Sequence, residues 1–202
     1  LHGLARLAME KGIIVISDEI YDQLAFTPHR SWSIVQAEPQ VSGQTIVVNG
    51  VSKTYSMTGW RIGYAVGPAE LIEVMSTLQS HSTSNPASIS QYAALAAVTG
   101  DQQEVAVMRA EFQKRRDRFV DGLNRIPGLS CLMPQGAFYA WCNISRLGAP
   151  AQALAERWLE EIHLAVVPGE GFGSAQHVRF SFAVSQADLD EALARLTKWV
   201  KA

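Results

Sequence analysis

The chain has 202 residues, 17 Lys and Arg against 19 Asp and Glu, a formal net charge of −2, 48% apolar residues and 18% charged ones. Such a chain buries a sizeable core, which excludes disorder as its main state, and its balanced charge without a basic tract excludes a nucleic-acid groove. Two cysteines, Cys131 and Cys142, are too few for a disulfide scaffold and lack the spacing of a zinc site. No metal is expected, and both residues read as half-buried thiols of a cytoplasmic protein.

Residues 4–11 carry apolar side chains at helical spacing, and Gly12 closes them. Leu1-His2-Gly3-Leu4 opens directly into that spacing with no leader pattern and no initiator methionine, so the chain reads as part of a longer polypeptide. The runs GIIVIS (12–17) and TIVVNG (45–50) are apolar on both faces, which suits buried strands of a parallel sheet, and RIGYAVG (61–67) is a third strand. No apolar run approaches the ~20 residues of a membrane-spanning helix. Pro68 starts a helix over 69–79, HSTSNP (81–86) is a loop, and SISQYAALAAV makes a small-residue helix ended by Gly100.

Residues 101–124 form the longest periodic stretch, with Val105, Met108, Phe112, Phe119 and Leu123 on one side and Lys114, Arg115, Arg116 and Arg118 on a solvated face. Beyond Pro127-Gly128, short strands (GLSCLM, GAFYAWCNI, LAVVPG, HVRFSFA) alternate with helices (151–162, 186–200), which predicts a smaller α+β unit. The expected division is therefore 1–100 and 101–202. Gly169, Gly171 and Gly173 mimic a dinucleotide loop, but they lead into a strand rather than a helix and are expected to form a tight turn.

Three polar groups come after or between apolar strands. Asp18 ends the first, where open α/β sheets place ligands, although an aspartate there also caps the next segment of chain. Lys53 comes after the second in a stretch rich in Ser, Thr and Gly, and a lysine in a desolvating pocket becomes an amine nucleophile. Arg61 opens the third, and with the Ser52 hydroxyl it suits a phosphate. Phosphate, aldehyde and ring nitrogen of a single cofactor would find partners in Ser52 and Arg61, Lys53, and Asp18.

SKTYSMTGWRIGY resembles the lysine signature of the class I/II aminotransferases, the pyridoxal 5'-phosphate enzymes of fold type I. DEIY, STSNPASISQYAALAA, PQGAFYAW, VPGEGFG and VRFSFA occur in that family's order, and the aspartate-aminotransferase-like branch is the nearest. The resemblance implies an α/β fold: part of a large domain with a mostly parallel sheet over 1–100, then a small α+β domain over 101–202 that includes its connecting helix. It implies that Lys53 holds pyridoxal phosphate as a Schiff base and moves the substrate proton, while Asp18 pairs with the ring nitrogen. Tyr21 would donate to the ring's phenolic oxygen, Ser52 and Arg61 would hold the phosphate, and Arg179 would clamp the substrate carboxylate. Trp60 and Tyr64 are expected to support the core, and Asn85 and Pro86 to lie near a homodimer interface.

The activity so implied is transamination between an α-amino acid, aspartate first, and a 2-oxo acid such as 2-oxoglutarate, with no nucleic-acid or membrane partner. Family members are about twice this long, so the chain alone is expected to bind cofactor weakly. A lyase on the same scaffold, a sensor module of a transcription regulator, or a degenerate homologue acting as an interaction partner are the alternatives.

Overall fold

A computed structural model describes residues 1–201, which fold into two compact units, Leu1–Ala106 and the described residues from Val107 onward. Among the described residues no helix is long and apolar enough to cross a membrane, and no group of three or more His, Cys, Asp or Glu could hold a metal.

In the first unit, α1 (His2–Lys11) stops at Gly12, whose φ of 63° is the left-handed geometry a Cβ disfavours. There the Ile13 N–H reaches back to the Ala8 carbonyl at 2.9 Å. Ala5 and Ala8 pack on Ile34, from the short helix α2 (Ile34–Ala37), and on Val41. Strand β1 (Val15–Asp18) pairs in parallel with β2 (Thr45–Gly50), which pairs antiparallel with β3 (Gly63–Val66). The three-stranded sheet is thus mixed, correcting the expectation of a mostly parallel one. Residues 51–62 contain only a short 3-10 turn, and a parallel return needs a longer crossover, usually helical.

The expectation of strands buried on both faces also fails. Val15 packs against the α1–α2 cluster, while its neighbour Ile16 alternates to the other face and is 71% exposed. Helices α3 (Ala69–Ser82) and α4 (Ser88–Thr99) match the predicted periodicity, with His81 and Ser82 helical rather than in the loop. Trp60 and Tyr64 are exposed, not core. They sit in the 3-10 turn Thr58–Trp60 and on β3, where the side chains filling the interior are Val51, Ile62 and Ala94.

The long helix α5 (Gln103–Asn124) begins in the first unit and continues into the second. There β4 (Ser130–Cys131), β5 (Tyr139–Asn143), β6 (Val167–Pro168) and β7 (His177–Ser181) form an antiparallel sheet in the order β4-β5-β7-β6. Its buried side chains, among them Ala140, Cys142, Val178 and Phe180, share a core with Phe119 and Leu123 of α5, Leu154 and Trp158 of α6 (Ala151–Ile162), and Leu189 and Leu196 of α7 (Gln186–Lys201). Gly169 opens a 3-10 turn that leads into β7.

Two expectations change here. Arg116 is buried rather than solvated, because its guanidinium bridges Asp117 at 2.6 Å and the Pro134 carbonyl at 2.9 Å, which satisfies the charge away from water. Cys131 and Cys142 are buried rather than half-buried, in register with one another across β4 and β5. Burial pushes the Cys131 thiol up to about 11 and the Cys142 thiol to about 12, from an ordinary value of 9.0.

The fold favours neutral thiols, so their contribution is complete below pH 9.0 and is lost as pH rises toward 11 and 12. Denaturant midpoints are therefore expected to fall through that window, and a Cys131→Ser/Cys142→Ser variant to fall less steeply. A Cβ at Gly50 would lie 2.8 Å from the Ile62 carbonyl oxygen, and one at Gly169 would lie 2.3 Å from those of Ser174 and His177. Gly50→Ala and Gly169→Ala are each expected to cost about 1–3 kcal/mol in chemical denaturation, against little change for Gly43→Ala and Gly171→Ala, which meet open space.

Candidate functional site

Strand pairing alone gathers five of the six residues singled out in the sequence. Asp18 ends β1 opposite Val48 of the parallel β2, so the two strands finish at one end of the sheet. β3 runs back, and its first residue Gly63 pairs with Gly50, the last of β2. The loops that carry Asp18 and Tyr21, Ser52 and Lys53, and Arg61 therefore meet at this end. Gly50 makes the approach possible, since a Cβ there would also lie 3.1 Å from Gly63 Cα and 3.2 Å from Ile20 Cδ1.

Asp18 Oδ1 accepts the Ile20 N–H at 3.2 Å, the local turn expected of an aspartate. Among the described residues no cation pairs with its carboxylate. The neighbouring Glu19 is engaged elsewhere, its Oε1 accepting from Ser17 Oγ at 2.9 Å and Ser33 Oγ at 2.6 Å, whereas Asp18 accepts from the Ile20 backbone N–H and keeps acceptor capacity to spare. Tyr21 is half-buried and precedes the 3-10 turn Asp22–Leu24.

Ser52 and Lys53 lie in one tight turn: the Tyr55 N–H bonds the Val51 carbonyl at 3.2 Å, and the Ser56 N–H bonds that of Lys53 at 3.4 Å. Both side chains are half-buried, and Val51 anchors the turn in the core. Arg61 has a φ of 54°, the left-handed region, and its Nη1 donates to the Thr58 carbonyl at 3.0 Å. Its remaining N–H groups and the Ser52 hydroxyl have no acceptor among the described residues. One sheet end thus offers an amine, a carboxylate and a cluster of uncommitted donors suited to an anion.

Arg179 belongs to the second unit. It lies in β7 opposite Trp141, on the face turned away from the core. Its guanidinium sits over the Tyr139 ring at 4.4 Å and the Phe172 ring at 4.8 Å, so two aromatic faces hold its plane. Among the described residues no carboxylate pairs with it, which leaves its N–H edge for an outside acceptor. No motif marks Tyr139 and Phe172 as its supports. The alternation of GAFYAW does put Tyr139 and Trp141 on the Arg179 face, which is the signal that was there to use.

Residues 1–196 match the family model described as aminotransferase class I and II. An aspartate aminotransferase of Geobacillus stearothermophilus is 44% identical over 100% of this chain and 53% of its own length. The aspartate/prephenate aminotransferase of Cereibacter sphaeroides is 46% identical over 90% of this chain and 48% of its own length. Among solved structures, the aspartate aminotransferase of Rhizobium meliloti superposes with a TM-score of 0.91 at 40% identity, covering 98% of this chain and 52% of that one. The aromatic aminotransferase of Pyrococcus horikoshii gives 0.94 at 36%, covering 99% and 54%. The chain spans about half the length of the curated relatives it matches. A lysine turn, a strand-end aspartate and an arginine gathered by one sheet, in a chain matched from end to end by such proteins, make it a member of the class I and II aminotransferase family.

Proposed function

We propose that the protein works as a transaminase, taking an amino group from an α-amino acid, aspartate first, and passing it to a 2-oxo acid such as 2-oxoglutarate. The observation that carries this is the meeting of Asp18, Lys53 and Arg61 at one sheet end. The names of the relatives favour aspartate as the amino donor.

The residues present fit pyridoxal phosphate. Ser52 and Arg61 offer uncommitted donors for a phosphate, Lys53 an amine for the aldehyde, Tyr21 a hydroxyl for the phenolic oxygen, and Asp18 a carboxylate for the ring nitrogen. When bound, the cofactor supplies an electron-withdrawing ring that accepts the electron pair left as the Cα–H bond of the substrate breaks.

Lys53 would hold the cofactor through Nζ and, with substrate bound, its amine would carry the proton between the substrate Cα and the cofactor's C4′ carbon. The turn at 51–56 limits where that amine can reach. Asp18 accepts a charge-assisted hydrogen bond from the ring N–H and so keeps that nitrogen protonated. In the second unit, Arg179 takes the substrate carboxylate through its N–H edge, already oriented by Tyr139 and Phe172.

Borohydride reduction of the protein incubated with pyridoxal phosphate, then peptide mapping, is expected to place the label on Lys53; a label elsewhere refutes the assignment. Lys53→Ala is expected to slow transamination by about 10²–10⁴-fold in steady-state assays. Arg179→Lys keeps the charge but loses the fork, so KM for the amino acid should rise about 10- to 100-fold.

A further inference from the structure

The turn that carries Lys53 is tied down by a side chain that no motif marks. The Tyr55 hydroxyl donates to Gln102 Oε1 at 2.9 Å. Gln102 Nε2 donates in turn to the Ala97 carbonyl at 3.0 Å and the Gly100 carbonyl at 2.7 Å. Both amide N–H groups are thus spent on the end of α4, where helical carbonyls lack partners, and the amide oxygen is spent on the lysine turn.

Tyr55 suits this task. Its ring packs against the buried cluster of Val51, Ile62 and Ala94, so the phenol is held by the same residues that anchor the turn. Burial, then the Asp22 carboxylate, push its pKa up, which keeps the hydroxyl protonated and able to donate. The phenol and the amine are carried two residues apart on one turn, which the Tyr55 and Ser56 N–H groups close back on Val51 and Lys53.

We infer that Gln102 is a positioning residue for Lys53: it clasps the lysine turn, through Tyr55, to the C-terminal end of α4. The inference rests on the reading of Lys53 as the cofactor's attachment point. It adds that the reach of the amine is set by a side chain immediately ahead of α5, outside the strands and loops that carry the other site residues. With the clasp open, the turn keeps its core anchor at Val51 but loses its outer restraint, and the amine samples orientations away from the cofactor.

The test compares the parent protein with Tyr55→Phe, Gln102→Ala and the double variant, using two readouts. The first is the ratio of borohydride-trapped pyridoxal phosphate on Lys53 to that on the exposed Lys11. The second is amide hydrogen exchange without cofactor. Each single change is expected to lower the ratio about two- to tenfold, the range for one neutral hydrogen bond, with the double variant no worse than the more affected single. Exchange should rise over residues 51–56 and stay unchanged over 46–49 of β2. A merely structural role would raise exchange across the sheet as well.

Tyr55→Phe removes one oxygen and leaves the ring in its cluster, so it decides the matter even if Gln102→Ala folds poorly. An unchanged ratio and unchanged exchange in Tyr55→Phe, with Lys53 labelled normally in the parent, overturns the clasp and leaves the cofactor site standing. Effects of the two single changes that add fully in the double variant also overturn it. Absence of label on Lys53 in the parent overturns the underlying site, and the clasp with it.

Discussion

The register of three short strands is the constraint on which the rest depends. Parallel pairing of Val15–Asp18 with Thr45–Val48, and antiparallel pairing of Val47–Gly50 with Gly63–Val66, bring two strand ends and one strand start to a single edge. A slip of one residue would turn every side chain of a strand to the opposite face. The residue that fixes the tightest approach is Gly50, hemmed in by the backbone of Ile62 and Gly63 and by the Ile20 side chain. What sits at that edge is chemically sparse: one amine, one carboxylate and a set of anion-seeking donors. That combination is what the proposed pyridoxal phosphate would need.

The second unit orients Arg179, the arginine proposed to take the substrate carboxylate, by a different physical device. A guanidinium left on an open sheet face would be mobile, and a mobile cation binds a carboxylate at the cost of its own ordering. Tyr139 and Phe172 flank Arg179 and orient its plane, while leaving its hydrogen-bonding edge free of carboxylate partners among the described residues. Stacking is suited to this because it restrains a cation without consuming its donors. By contrast Arg116, also in this unit, spends its donors on Asp117 and the Pro134 carbonyl and is a buried structural strut. Two arginines of the same unit thus differ in the donors they leave uncommitted.

Much of this was legible in the chain itself. The helix over residues 4–11 and its Gly12 stop, the strand at 45–50, the helix at 151–162, and the positions of Asp18 at the end of one strand and Lys53 soon after another all come from periodicity and turn chemistry. What sequence pattern misjudged was burial and direction. Ile13, Ile14 and Ile16 read as the interior of a parallel sheet, yet all three are exposed, because an apolar strand becomes buried only where a layer covers each of its faces. The reversal of β3 depends on the lack of a crossover helix in 51–62, which a motif rich in Ser, Thr and Gly does not announce. Gln102 was invisible for a related reason. Its role is written in three hydrogen bonds to atoms distant in kind, two helix carbonyls and a phenol, and in no residue pattern.

The lysine turn lies between the strand ends on one side and the end of α4 on the other, and under the proposed function its amine is of use only if the ring lies where Asp18 and Arg61 both reach. A crystal structure of the protein grown with pyridoxal phosphate tests this most directly. Density continuous with Lys53 Nζ is expected, with the Asp18 carboxylate within about 2.7–3.2 Å of the ring nitrogen and the phosphate against Ser52 and Arg61. A ring bound away from this sheet end, or one whose nitrogen lies beyond hydrogen-bond reach of Asp18 with the phosphate clear of Arg61, would contradict it.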